Sequence, residues 1–262
     1  MSGRIVRLLI RLRCTEDGPY EMQYHYHLQG FIYRLLEGSK YHYVHDKEGY
    51  KFFCFSNVFP AAALRTGDYR TLIVSSPDDE FISYLYGLLN KPWNVDVKVG
   101  SMKFKIDSIE KLSPRIPDGS VDLITGTPII IRIPKEKYQM YDIHPDKEYD
   151  YVFWRKDHSL ELFVSQLRSN LLKKYEDYQQ ARNYGKNNEP NGQDISLFQR
   201  FKFKKQISTK VLMKGYEQTV IGTVWEFGFH PSGEMERKLV QFALDAGLGE
   251  RNSLGFGFLN IK

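Results

Sequence analysis

Gly247-Leu-Gly-Glu-Arg-Asn-Ser-Leu-Gly-Phe-Gly-Phe258 is the stretch on which the reading of this chain turns. Its glycines, Gly247, Gly249, Gly255 and Gly257, alternate with apolar residues around a polar centre, Glu250 to Ser253. Glycine has no Cβ and tolerates positive φ, so backbone can come close to a ligand and successive N–H groups can point into one concavity. Such a concavity suits an anion, phosphate above all. A dinucleotide-binding glycine fingerprint requires a strand before it and a helix after it. Here only about one strand's length of chain follows the glycines, so that reading fails. A phosphate-facing loop on a basic chain points to nucleic acid instead.

Composition agrees. At 262 residues the chain has room for one large domain or two of about 130 residues. Hydrophobic residues make up 42% of it and no apolar run reaches the length of a membrane span, which predicts a soluble globular protein without a membrane partner. Arg4, Arg7, Arg11 and Arg13 break up any signal-peptide core near the start. Cys14 and Cys54 make neither a disulfide framework nor a metal quartet, so a reducing cytoplasm is the expected compartment. A net charge of +5 suits a polyanion partner. The 18 Tyr and 17 Phe must largely build core, and those interleaved with Lys and Arg can stack on bases.

Periodicity predicts an α+β protein. Residues 3–13 read as a strand, and His25–Glu37 as a helix with Leu28, Phe31, Ile32, Leu35 and Leu36 at helical spacing before Gly38. Lys51–Phe59 and Tyr69–Ser75 read as strands. A helix starts at Pro77–Glu80 with acidic residues in its first turn, and Met102–Ile109 alternates as a strand. The second half repeats the order: strands at Val121–Thr125 and Pro128–Ile133, a helix from Asp157 or Ser159, and strands at Phe201–Ile207 and Val220–Phe229. A helix capped by Ser232 and a closing strand Phe256–Ile261 complete it. This is the ferredoxin-like βαββαβ arrangement twice in tandem, with domains at 1–115 and 116–262 and a boundary in Ser113–Gly119. Asn183–Gln193 reads as a solvated loop, and Pro60-Ala-Ala-Ala63 sits oddly in a polar turn, where an engineered surface patch is one reading.

Two such halves ending in Gly-Leu-Gly-Glu-Arg-Asn-Ser-Leu-Gly-Phe-Gly resemble the RAMP superfamily of CRISPR-associated RNA-binding proteins. Within it the chain resembles the sixth Cas family, the endoribonucleases that cut CRISPR precursor RNA inside each repeat. Leu28-Gln-Gly-Phe-Ile-Tyr33 on the first helix adds to the likeness. The resemblance implies metal-independent cleavage, in which the ribose 2′-OH attacks the adjacent phosphorus and leaves a cyclic phosphate. It implies no cofactor, CRISPR repeat RNA as partner, and other Cas proteins or a second copy of the chain as further partners. The archaeal branch carries a Tyr at the end of that helix segment, a His shortly afterwards and a Lys before the next strand. Tyr33 matches the first, His45 in Tyr43-Val-His-Asp46 the second, with His42 as the other candidate, and Lys51 the third. Some paralogues bind repeat RNA without efficient cutting, so a binding protein or structural subunit is the alternative.

The chemistry fits these residue types. Histidine donates or accepts a proton near neutral pH, so His45 is expected to move the proton. Lysine stabilises developing negative charge, which gives Lys51 its role. Tyrosine is a weak base at an ordinary pKa of about 10, so Tyr33 activates or positions the nucleophile. Without the resemblance, Tyr33 reads as a helix-flank aromatic, Lys51 as a solvated strand end and His45 as one of seven histidines. His25 and His27 differ by two on a helix, share no face, and read as surface or partner-facing. In the terminal loop, Gly247, Gly249, Gly255 and Gly257 would shape an RNA-backbone contact for which Arg251, Asn252 and Ser253 supply donors; the alternative is a tight connection packing the last helix on its sheet. Lys202 and Lys204 share one strand face, either guarding a sheet edge or holding RNA phosphates. No metal-ligand spacing and no Gly-x-Ser-x-Gly nucleophile motif occurs.

Overall fold

Alternation puts Leu8, Ile10, Leu12 and Cys14 on the buried side of strand β1, Arg7–Cys14. In the computed structural model, which describes residues 4–91, 96–182, 197–213 and 216–262, β1 is the centre of a sheet. It pairs antiparallel with β3 (Tyr69–Ser75) on one side and β5 (Met102–Leu112) on the other. With β2 (Cys54–Phe55) and β4 (Asp96–Val99) at the edges, the strand order is β2-β3-β1-β5-β4. Helices α1 (Tyr24–Leu36) and α3 (Asp79–Leu89) supply the other half of the core through Leu28, Ile32, Leu36, Phe81, Ile82 and Leu85. Asp78 caps α3, its carboxylate accepting from the Phe81 N–H at 3.0 Å.

The predicted strand Lys51–Phe59 shrinks to Cys54–Phe55 plus an isolated bridge from Phe59 to Thr71. Phe52 interrupts it with a φ of 53°, which takes the backbone out of the extended region. The alanines of Pro60–Ala63 serve through their main chain: the buried Arg70 guanidinium donates to the carbonyls of Ala63 at 2.8 Å and Ala62 at 3.4 Å.

The second half builds a sheet of order β11-β6-β10-β9 from β6 (Val121–Thr125), β9 (Arg200–Met213), β10 (Tyr216–Phe229) and β11 (Leu259–Ile261). Helices α4 (Leu160–Ala181) and α5 (Glu234–Ala246) carry its buried apolar faces. Aromatic side chains fill the core, with Phe163 stacked on Trp225 at 4.6 Å between ring centres and Phe198 on Phe227 at 4.4 Å. Between β6 and α4 a small antiparallel pair, β7 (Arg132–Pro134) and β8 (Tyr151–Phe153), replaces most of the predicted strand Pro128–Ile133. Ser159, the second of the two predicted starts, caps α4. The cap of α5 is Gly233, one residue later than predicted; Ser232 instead donates its N–H and hydroxyl to the Glu236 carboxylate in the first turn.

Both sheets have the ferredoxin-like order, with the first strand between the third and the last. By spatial clustering, the first unit is Met1–Arg115 with Val211–Gln218 and Asn252–Gly255, and the second is Ile116–Lys210 with Thr219–Arg251 and Phe256–Lys262. The predicted loop Asn183–Gln193 lies outside the described residues. Among the described residues no helix is long and apolar enough to cross a membrane.

Candidate active site

His25, Gln29 and Tyr33 recur every four residues on α1, so they form one stripe beside the apolar face of Leu28, Ile32 and Leu36. All three meet a single turn, Asn252–Leu254, which belongs to the same unit. His25 Nδ1 lies 2.7 Å from the Leu254 carbonyl oxygen, and Gln29 Nε2 donates to the Ser253 carbonyl at 3.1 Å and to Ser253 Oγ at 3.2 Å. The Ser253 side chain faces the Tyr33 phenol closely enough to lower its pKa. His25 is buried, where a surface or partner-facing position was expected. Helical spacing of four, not two, is the signal that reveals its role.

The short helix α2, Tyr43–Asp46, anchors through buried Val44 and leaves His45 exposed. Its imidazole stands edge-on to the Tyr33 ring at 5.0 Å, and its Nδ1 is 2.5 Å from Asp46 Oδ1. Lys51 arrives from the irregular segment before β2. Its ammonium donates to the Tyr33 phenol oxygen and to the His45 carbonyl oxygen, both at 2.8 Å. The left-handed turn at Phe52 directs Lys51 out of the sheet, and the Phe52 carbonyl is held by Ser76 Oγ at 2.7 Å. Tyr33, His45 and Lys51 thus converge within one unit.

Burial sets the electrostatics. It pushes the Tyr33 phenol up to about 12, against a smaller lowering by the Ser253 hydroxyl. It also lowers the Lys51 ammonium, opposed by the Asp46 carboxylate and helped by Lys47. The His45 hydrogen bond holds the Asp46 carboxyl below its ordinary value. With Nδ1–H given to Asp46, Nε2 is the ring nitrogen left for proton exchange. Asp46 was missing from the sequence-predicted set, although the adjacent His-Asp pair is visible in the chain.

The glycine loop is tighter than a cradle for a ligand. Gly247, Gly249, Gly255 and Gly257 all have positive φ and are buried. A Cβ on Gly249 would come within 2.6 Å of the Ile130 carbonyl oxygen, and one on Gly255 would strike the Phe55 ring. What approaches these glycines is the protein itself. Buried Lys174 of α4 ties the loop down, donating to the Gly247 carbonyl at 2.9 Å and the Gly249 carbonyl at 2.8 Å. Asn252 is buried, while Arg251 and Ser253 are half-buried. Arg251 lies 3.4 Å from the Tyr151 hydroxyl, and burial lowers its pKa. Lys202 and Lys204 do share a strand face and converge on Glu226, at 3.7 and 2.9 Å, together with Lys262 at 3.2 Å. Those lysines hold the Glu226 carboxyl down at about 2.

The family described as "CRISPR associated protein Cas6, C-terminal" matches residues 110–261. A relative from Haloferax mediterranei, named CRISPR-associated endoribonuclease Cas6, is 31% identical over 259 residues, spanning 98% of this chain and 93% of the relative. The chain belongs to the Cas6 family. A second relative, CRISPR-associated endoribonuclease Cas6 2 of Methanocaldococcus jannaschii, is 31% identical over 263 residues, covering 97% of this Cas6 chain and 99% of its own. The fold is shared with a solved structure titled "An RAMP protein binding different RNA substrates", at a TM-score of 0.72 and 17% identity over 98% of this chain and 99% of that one. This Cas6 protein and that RAMP protein therefore share one fold.

Proposed function

We propose that this Cas6 protein binds a CRISPR repeat RNA and cuts it without a metal ion, the ribose 2′-OH attacking the adjacent phosphorus to leave a cyclic phosphate and a free 5′-hydroxyl. One observation carries the reading: a phenol, an imidazole and an ammonium, each from a different local segment, meet within hydrogen-bonding and ring-contact range. His45 moves the proton through Nε2 while Asp46 holds Nδ1–H. An ammonium has three donors; the one of Lys51 that serves neither Tyr33 nor the His45 carbonyl is left for a phosphorane oxygen, whose developing charge it stabilises. Tyr33 positions the reacting groups.

RNA contacts are proposed for the terminal loop and the second sheet. Gly247, Gly249, Gly255 and Gly257 set the loop's shape, and Arg251 carries its charge toward phosphate, with Asn252 and Ser253 beside it. Lys202 and Lys204 together outweigh the one carboxylate they share, which supports a phosphate stripe. Other Cas proteins and a second copy of the chain are further proposed partners, tested by pull-down and light scattering.

The test is incubation with the cognate repeat RNA in EDTA. Cleavage by the parent, and its loss in His45→Ala with affinity retained, is the expected result. Tight binding without cleavage by the parent would replace this reading with that of an RNA-binding protein.

A further inference from the structure

Gly30 stands in the middle of α1, where glycine costs helix stability that alanine would keep. Its backbone is ordinary helix without a positive φ, so the turn does not require it. Packing does not require it either. Among the described residues outside the helix's own backbone, a Cβ on Gly30 would have one neighbour within 4 Å, Arg34 Nη1 at 3.5 Å, the end of a flexible side chain in ordinary contact. The space beside Gly30 is partly open to solvent. It lies three residues before Tyr33 and four before Arg34, between the columns of those two side chains. Helical side chains lean back toward the N-terminus, which brings the guanidinium of exposed Arg34 over the gap. Gly87 in α3 is equally unhindered, with no side chain within 4 Å of its added Cβ and so no cation beside it.

We propose that Gly30 and Arg34 form a seat for the RNA backbone next to the cut, Gly30 giving the sugar–phosphate chain room against α1 and Arg34 holding a phosphate that flanks the scissile one. A glycine admits a ligand's backbone where a Cβ would hold it off. A guanidinium meets phosphate with paired donors in a fixed fork. Three residues of helix, about 4.5 Å of rise, separate the gap from Tyr33, so a strand whose reacting group faces Tyr33 passes over Gly30. Both residues align the strand and exchange no proton. The inference rests on this site taking RNA, as proposed above.

The test is affinity of the full chain, by fluorescence anisotropy, for a synthetic repeat RNA carrying a 2′-deoxy sugar at the cut, which blocks cleavage. Gly30→Ala should raise the urea midpoint, as better helix formers do, and still weaken RNA binding roughly tenfold. Gly87→Ala should raise the midpoint and leave affinity alone. In an Arg34→Ala background Gly30→Ala should weaken binding again, because the added methyl meets the RNA itself. Arg34→Ala should weaken binding roughly tenfold and make the slope of log affinity against log salt shallower by about one unit, and Arg34→Lys should keep the slope. An RNA with neutral methylphosphonates on 2′-O-methyl sugars at the two phosphates flanking the cut should bind the parent and Arg34→Ala alike. Gly30→Ala with the parent's affinity, or with a lowered urea midpoint that shows the fold itself needs the glycine, overturns the proposal. So does an unchanged salt slope in Arg34→Ala, or a deficit of that variant that persists on the neutral RNA. A parent that binds no repeat RNA ends the site reading itself; a parent that binds and cuts, with Gly30 and Arg34 variants matching it, ends only this inference.

Discussion

Burial holds the His25 imidazole neutral, pushing its pKa down to about 4 from an ordinary value of 6.5. Between those values the unfolded chain binds the proton and the folded chain does not, so stability falls as pH falls. The contribution is complete above pH 6.5 and gone below about 4, on the order of 3 kcal/mol in all. Urea midpoints measured from pH 7 to 4.5 should decline, and His25→Leu should remove that part of the slope; an unaltered slope would show that His25 is not its source. Asp46 makes a different residue-scale prediction. It fixes the His45 ring by one exposed hydrogen bond, so Asp46→Asn should slow cleavage roughly tenfold and leave RNA affinity alone. Equal rates in single-turnover assays would remove Asp46 from the site.

At the scale of elements, the terminal loop is a packing device before it is a binding one. Lys174, on the buried face of α4, gives its charge to two loop carbonyls. Lys174→Met keeps the apolar stem and strands those acceptors, which should cost about 2–4 kcal/mol in urea unfolding. Gly249→Ala meets both a φ of 67° and the Ile130 carbonyl oxygen, so it should destabilise by more than about 1 kcal/mol. A Gly249→Ala protein with the parent's urea midpoint would mean that the loop is free to move off Ile130. The stripe on α1 acts on the same loop: one helix face presents three side chains to the turn Asn252–Leu254, so a repeat of four residues becomes a clamp.

At the scale of the whole molecule, a net charge of +5 is modest for a protein that tracks a polyanion. Local arrangement must therefore do more than the total: lysines at 202, 204 and 262 surround one carboxylate, and Arg251 sits among aromatic rings. Phosphate contacts release counterions, so the logarithm of RNA affinity should fall linearly with the logarithm of salt concentration. Replacing Lys202 and Lys204 with Ala should make that slope shallower by about one to two units, read by fluorescence anisotropy. A slope that does not change would assign both lysines to Glu226 alone.

Much of this was legible along the chain because it depends on near neighbours. Alternation marked β1, β3, β6 and β10, and spacing of three and four marked the buried faces of α1 and α4, since a strand or helix exposes its period directly in sequence. Tyr33, His45 and Lys51 could be singled out as candidates by residue type and by likeness to a family. Their convergence could not, because it needs the left-handed backbone at Phe52 and the docking of α2. The Gln29–Ser253 and His25–Leu254 bonds, across 224 and 229 residues, lay beyond any local pattern. The sequence by itself determined the elements and the kind of chemistry, because those follow from side chains and their period. Which polar groups are buried, which protons they share and what fills the space beside the glycines were decided only when distant segments packed together.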